Sequence, residues 1–318
     1  MTTTSLAFLF PGQGSQAVGM GKNLADRFPV ARQTFVEADE TLAMKLSQLC
    51  FEGPEDQLRL TENTQPAILA VSVAAWRVLD EKGIKPAFVA GHSLGEYSAQ
   101  VAAGTLSFTD AVCAVRNRGR YMQEAVPVGT GSMAAIVGMD LDTIVTVCAD
   151  ASQGEVCEPA NINSPDQVVI SGHAGAIERA VKLAEQRGAK RAKLLPVSAP
   201  FHCSLMKPAQ DRLSLDLEAL NFSPPQIPVI ANVYAKPVED AISSREALIR
   251  QVTGSVKWSE SLQWLISRGV ETFVEVGPGK VLCGLMRQID RAKKTLNVED
   301  EASLQKTLEY LAAAPADS

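Results

Sequence analysis

Short unbroken apolar runs alternate along this chain with long segments of helical period. Leu6-Ala-Phe-Leu-Phe10 is apolar at every position and predicts a strand covered on both faces. Residues 31–44 then carry a helical pattern. Residues 64–82 predict a long helix whose Ile68, Leu69, Val71, Val78 and Leu79 form one apolar face, ending at Gly83. A second apolar run, 87–90, opens through Gly91-His-Ser-Leu-Gly95 into a small-residue segment, 98–103, that reads as a helix. A further helix follows at 109–125. From Pro127-Val-Gly-Thr-Gly131 the pattern changes to strand 132–138, helix 141–150, strand 155–162, strand 167–171, helix 174–187 and strand 191–195. That βαββαβ order is the split, ferredoxin-like unit. It predicts a small domain, 127–198, inserted into a larger one formed by 1–126 and 199–318, with a ligand site in the cleft between them. The large domain resumes with a helix at 205–220, a strand at 228–231, helices near 245–253 and 259–268, and a strand at 271–276. A helix at 301–312 and a frayed tail close it. The fold class is therefore α/β.

Composition narrows the function only by exclusion. With 30 Lys and Arg against 36 Asp and Glu, the net charge of −6 argues against a general nucleic-acid binder. No apolar run approaches the length needed to span a bilayer, and residues 1–5 lack the basic start of a secretory signal, so a cytoplasmic location is the expectation. Six cysteines occur without Cys-x-x-Cys spacing; buried free thiols are expected, with no metal site.

The chemistry concentrates on Gly91–Gly95. A strand, Gly-x-Ser-x-Gly and a helix are the context of a nucleophile elbow, which lifts the Ser93 hydroxyl above the sheet edge and turns the Leu94 N–H toward a developing negative charge. An ordinary strand-to-helix turn with a capping serine is the plainer account. Gly12-x-Gly14-x-x-Ala17 also follows a strand, but the second strand and acidic residue of a dinucleotide fold are missing, and Gln13 suits an amide aimed into a cleft instead. Gly277-Pro-Gly-Lys280 is no phosphate loop, because Val274 stands at the first glycine position and Val281 at the Ser/Thr. Only His92, His173 and His202 are available as a base. His92 adjoins Ser93 on a turn where side chains diverge, and His173 reads as an exposed turn histidine. His202, re-entering the large domain beside the cleft, is the expected base, a core or capping histidine being the alternative. No carboxylate stands out to complete an Asp triad. Arg118, flanked by Arg116 and Arg120, also reads as a surface ion-pair residue.

Taken in order, Pro11-Gly-Gln-Gly-Ser-Gln16, Gly91-His-Ser-Leu-Gly-Glu-Tyr97, Arg118-Gly119 before Met122, Ser198-Ala-Pro-Phe-His202 and Val274-Glu-Val-Gly-Pro-Gly279 resemble the malonyl-CoA:acyl carrier protein transacylases, freestanding acyltransferases of type II fatty acid synthesis. The resemblance implies an α/β-hydrolase-like large domain with a ferredoxin-like insert. It implies Ser93 as the acylated nucleophile, His202 as base, and the Gln13 amide with the Leu94 N–H as oxyanion hole. Gln251 would orient the histidine through a backbone carbonyl, Arg118 would bind the acyl carboxylate, and Asn163 and Gln65 would line the pocket. Phe201 is the residue type that accompanies malonyl selection in such relatives. Malonyl-CoA would be the substrate and a carrier protein's phosphopantetheine thiol the acceptor, with no metal and no bound cofactor. Because such carriers are acidic, Arg187, Lys190, Arg191 and Lys193 are the candidate dock, a solvated charge run being the alternative. A monomer is expected. Rival readings are a serine thioesterase or other hydrolase, a polyketide-pathway acyltransferase, and a catalytically idle relative acting as a binding subunit.

Overall fold

Strand β1 (Leu6–Phe10) is buried at every residue because both of its faces are covered. Leu6, Phe8 and Phe10 join the main core, while Ala7 and Leu9 face a second core on the opposite side of the sheet. The computed structural model describes residues 6–197 and 199–313; residues 1–5, Ser198 and the tail at 314–318, which carry the leader, motif and fraying expectations above, lie outside them.

After β1 come α1 (Lys22–Arg27), α2 (Pro29–Leu42), α3 (Leu46–Glu52), α4 (Glu55–Leu58) and the long α5 (Thr61–Glu81), which buries a broad face including Ile68, Leu69 and Val71. Strand β2 (Phe88–Gly91) leads into α6 (Gly95–Ala102), and α7 (Phe108–Glu124) follows. Next are β3 (Gly131–Val137), α8 (Leu141–Ser152), β4 (Cys157–Ser164), β5 (Gln167–His173), α9 (Ala174–Gln186) and β6 (Arg191–Leu194). A 3₁₀ turn at Ser204–Met206 precedes α10 (Lys207–Glu218), β7 (Val229–Ala231), β8 (Lys236–Val238), α11 (Ala241–Gln251) and α12 (Trp258–Ser267). The chain closes with β9 (Thr272–Val276), α13 (Val281–Ile289), β10 (Lys294–Val298) and α14 (Glu301–Ala313).

The architecture is mixed α/β with two sheets. The larger has the order β10-β9-β1-β2-β7-β8, parallel except for the short edge strand β8. Its order reverses at β1, which has β2 on one side and β9 on the other, so the loops after β1 and β2 frame a crevice at the carboxyl end of the sheet. The smaller sheet, β4-β5-β3-β6, is antiparallel throughout. Its Ala134, Ile136 and Ile170 pack under α8 and α9, whereas Met133, Ala160 and Val169 turn the other way, toward Phe201. β4 is fastened to the large sheet's side of the molecule: Ile162 N–H donates to the Val256 carbonyl at 2.9 Å and Val256 N–H to that of Ala160 at 2.8 Å.

Several expectations need correction. α11 starts at 241 rather than 245, because Asp240 accepts from the N–H groups of Ile242 and Ser243 and the Ser243 hydroxyl answers with a bond back to Asp240. The helix expected from 205 begins with a 3₁₀ turn, and the elbow helix starts at Gly95, ahead of 98. α13, β8 and β10 were not anticipated; α13 follows a Gly-Pro-Gly loop, and Glu275 satisfies its first N–H groups, at Leu282 and Cys283. Five cysteines are buried free thiols, but Cys113 is exposed.

Candidate active site

The turn after β2 works only with glycine at two positions. A Cβ on Gly91 would overlap the Gly95 carbonyl, and one on Gly95 would overlap the Phe10 carbonyl of β1. Between them Ser93 takes φ 51°, a left-handed backbone that a non-glycine residue adopts at a cost. Its peptide is held at both ends. Ser93 N–H donates to Asn232 Oδ1 at 2.7 Å, and Gln251 Nε2 donates to the Ser93 carbonyl at 2.9 Å. Asn232 Nδ2 donates to the Gly91 carbonyl at 2.7 Å, closing the loop on itself.

His202 also sits in the left-handed region, at φ 60°. Its Nδ1 lies 2.9 Å from the Gln251 carbonyl, which can only accept, so that nitrogen carries the proton. Nε2 is then free to accept from the Ser93 hydroxyl, 2.7 Å away. Burial, reinforced by the nearby Arg118 charge, pulls the imidazole down to about 3, so the ring is neutral at physiological pH. A main-chain carbonyl thus occupies the place of the missing triad acid.

Arg118 enters from α7 and is 1 % exposed. Nη1 donates to Gln65 Oε1 at 2.7 Å; Nη2 donates to Gln251 Oε1 at 2.9 Å and to Ser93 Oγ at 3.1 Å, while Nε has no partner among the described residues. All three acceptors are neutral, so the cation reaches the cleft without a carboxylate against it. Burial lowers its pKa, and the Tyr97 ring lies 5.7 Å away. Arg116 and Arg120, two residues to either side, point elsewhere: Arg116 toward Met44, Arg120 toward Asn117 and Tyr121. The carboxylate that Arg118 feels is Glu96, fully buried on α6. Glu96 Oε2 accepts from Asn232 N–H at 3.0 Å and from Gln251 Nε2 at 2.7 Å, and burial pushes the carboxyl up to about 7.

These groups open onto one cleft of about 630 Å³, the size of a small-molecule site. Gln13 and Leu94 line it. The Gln13 side-chain amide also reaches Thr61 Oγ1 at 3.4 Å, and Leu94 caps the start of α6. From the small sheet comes Asn163, placed by register shifts in β4 and accepting from His92 Nε2 at 2.8 Å. His92 therefore diverges from Ser93 and packs against Trp258, ring centroids 5.4 Å apart. His173 is not an exposed turn residue as expected; it is half-buried in the small sheet, its Nδ1 accepting from Val156 N–H at 2.9 Å. Of the basic residues near β6, Arg187 pairs with Asp150 at 2.5 Å, while Lys190, Arg191 and Lys193 are exposed. Lys193 stands opposite Ala135, a residue of the cleft wall.

Sequence reasoning missed Glu96 and Asn232. Each had a signal: Glu96 is the one charged residue of α6, and Asn232 directly follows a strand at the sheet's carboxyl end, where ligand sites gather.

No cluster of three or more His, Cys, Asp or Glu able to hold a metal occurs among the described residues, and no helix among them is long and apolar enough to cross a membrane. The acyl transferase domain family model matches residues 7–307. The chain is 50% identical to the malonyl CoA-acyl carrier protein transacylase of Bacillus subtilis (strain 168) over 309 residues, 97% of this chain and 98% of that one. An acyl carrier protein S-malonyltransferase from Vibrio cholerae superimposes with a TM-score of 0.94 at 51% identity, covering 95% of this chain and 99% of its own. A structure of a type II PKS acyl-carrier protein in complex with its malonyl-transacylase matches with a TM-score of 0.94 at 48% identity, over 96% of this chain and 99% of that one.

Proposed function

Since the chain belongs to the acyl transferase domain family, we propose that it is a malonyl-CoA:acyl carrier protein transacylase, moving a malonyl group from coenzyme A to a carrier protein's phosphopantetheine thiol. The observation that carries this reading is Arg118: a buried guanidinium with no carboxylate against it, 3.1 Å from the hydroxyl that would be acylated. A malonyl unit has its free carboxylate two carbons from the reacting carbonyl, and a guanidinium fork binds a carboxylate through two parallel hydrogen bonds.

In this reading Ser93 is the nucleophile and His202 its base. The hydroxyl proton passes to His202 Nε2 as Oγ attacks the thioester carbonyl. The coenzyme A sulfur leaves and takes that proton, and a malonyl ester stays on Ser93. The carrier thiol then attacks the ester, again giving its proton to His202, and Ser93 Oγ recovers it as the ester breaks. Each half passes through an oxyanion, for which Gln13 and the Leu94 N–H are the proposed donors. Gln251 fixes the imidazole tautomer, while Gln65 and Asn163 complete the pocket. No metal or bound cofactor enters these steps.

The β3-to-β6 unit, with its sheet order β4-β5-β3-β6 and both helices on one face, supports a ferredoxin-like domain over 127–198 set into an α/β-hydrolase-like domain of 1–126 and 199–318. The acidic carrier would meet the basic edge at Lys190, Arg191 and Lys193, with Arg187 tied back to Asp150. The carrier complex among the similar structures supports a macromolecular acceptor.

The test is direct. Incubated with malonyl-CoA alone, the protein is expected to gain one malonyl group on the peptide containing Ser93, seen by mass spectrometry, and to lose it when a holo carrier protein is added. A thioesterase would instead release free malonate without an acceptor, and an idle relative would form no adduct.

A further inference from the structure

Ser93 is gripped by two residues, and both hang from a third. Asn232 holds the Ser93 N–H and Gln251 holds the Ser93 carbonyl; Asn232 N–H and Gln251 Nε2 both donate to one oxygen, Oε2 of Glu96. The geometry points to Glu96 as a positioning residue for the transfer reaction, fixing through Asn232 and Gln251 the strained backbone of the nucleophile and the carbonyl that orients the base. The inference rests on Ser93 and His202 acting as proposed above.

Amide chemistry explains why an acceptor is needed at that point. The Gln251 side chain presents Oε1 to Arg118 Nη2 and Nε2 to the Ser93 carbonyl and Glu96. Flipped, its NH₂ would face the guanidinium, donor against donor, and its oxygen would face a carbonyl and a carboxyl oxygen. Glu96 and Arg118 therefore lock one orientation from opposite ends. The Gln251 carbonyl, which accepts from His202 Nδ1–H, belongs to the same residue. Glu96 itself touches neither Ser93 Oγ nor the cleft; it is fully buried and absent from the cleft wall. Its two acceptor bonds both fall on Oε2, while Oε1 has no partner among the described residues. A proton can accordingly reside on Oε1 without breaking either bond, and the frame survives the titration that burial brings to about 7.

Shape and charge can be separated by two substitutions. Glu96→Gln keeps an oxygen at the required place and removes the charge; Glu96→Asp keeps the charge and withdraws the oxygen by one methylene. Two rates would be measured beside thermal unfolding: fluorophosphonate labelling of Ser93, which needs no malonyl group, and kcat with KM for malonyl transfer. Displacement of about 1 Å at a reacting group costs on the order of 100-fold. Glu96→Gln is expected to label and turn over within about threefold of the wild type, and Glu96→Asp about 100-fold more slowly, with KM for malonyl-CoA moving less than threefold in both. Equal rates in the two variants, or faster labelling in Glu96→Asp, would overturn the inference. So would loss of folding in both, which assigns Glu96 to the fold alone. Wild-type labelling without malonyl transfer would instead overturn the functional reading and leave this comparison intact.

Discussion

Arg118→Met is the perturbation that most directly weighs the proposed specificity. Methionine keeps an unbranched chain of similar reach in the buried slot and removes the cation. The magnitude follows from what Arg118 touches: Gln65 Oε1 at 2.7 Å, Gln251 Oε1 at 2.9 Å and Ser93 Oγ at 3.1 Å, all neutral. An acetyl group leaves those contacts nearly as they are, so the arginine gains nothing and loses little. A malonyl carboxylate exchanges two neutral acceptors for charged ones, each stronger by about 1–2 kcal/mol, a gain of about 2–4 kcal/mol. Selectivity thus arises as a gain for malonyl more than as a penalty on acetyl. At 1.4 kcal/mol per tenfold, Arg118→Met should lower kcat/KM for malonyl-CoA by about 30- to 1000-fold. The value for acetyl-CoA should fall far less, by up to about tenfold, because the lost Gln251 contact is partly offset once the Arg118 charge no longer weakens the His202 base. Release of coenzyme A thiol in the presence of a holo carrier protein measures both substrates on the same preparation, with thermal unfolding as the folding control. Parallel losses on malonyl-CoA and acetyl-CoA would refute the reasoning.

Further outcomes follow from the same geometry. Glu96 is held at about 7 in the folded chain against 4.5 for a free glutamate, so the fold binds its proton more tightly and loses about 3 kcal/mol as pH climbs from 4.5 past 7. His202, at about 3 against 6.5, works in the opposite sense, and stability falls as pH drops below 6.5. Between about pH 5 and 6.5 the two slopes oppose each other; Glu96→Gln leaves the His202 slope alone, so its unfolding free energy from urea titration should rise by about 1.4 kcal/mol per pH unit relative to wild type over that range, and parallel curves would contradict the raised Glu96 carboxyl. Gly91→Ala places a Cβ against the Gly95 carbonyl and Glu96 N–H, backbone on backbone, so it should cost more than about 3 kcal/mol in urea denaturation; a variant as stable as the wild type would show that the turn can relax. Joint reversal of Arg191 and Lys193 to glutamate should raise the carrier-protein KM and leave acylation by malonyl-CoA alone unchanged, and an unchanged carrier KM removes β6 as the dock.

What the sequence revealed and what it withheld divide along contact range. β1, α5 and the elbow were readable because their signals are local: an unbroken apolar run, a 3.6-residue period, glycines flanking a serine. The alternating strands and helices from 131 to 194 were readable for the same reason. α13 is hidden by the Gly-Pro-Gly loop before it, and α11 starts ahead of its periodic pattern because Asp240 caps it. Within the site, three histidines left few candidates for the base, and the inferred cleft beside residue 202 singled out His202. The side-chain role of Gln251 was different in kind. Its amide touches Ser93, Glu96, Asn232 and Arg118, partners up to 158 positions away, and no spacing along one chain encodes such a meeting. Asn232 and Glu96 each carry a weak local signal, but the bond that joins them spans 136 positions and is written in neither.

The placement of β1 also governs how the molecule is made. This first strand pairs with β2 on one side and, through Leu6 with Thr272, with β9 on the other. As the chain emerges from the ribosome, Leu6-Ala-Phe-Leu-Phe10 must wait for almost the whole sequence before its second flank is covered. During that wait an apolar strand edge lies open to pairing with other chains. The loop that carries Gln13 hangs from the same strand, so the cleft closes only after β9 arrives. Folding of this sheet thus depends on a pairing made across most of the chain, the kind of long-range contact that slows folding.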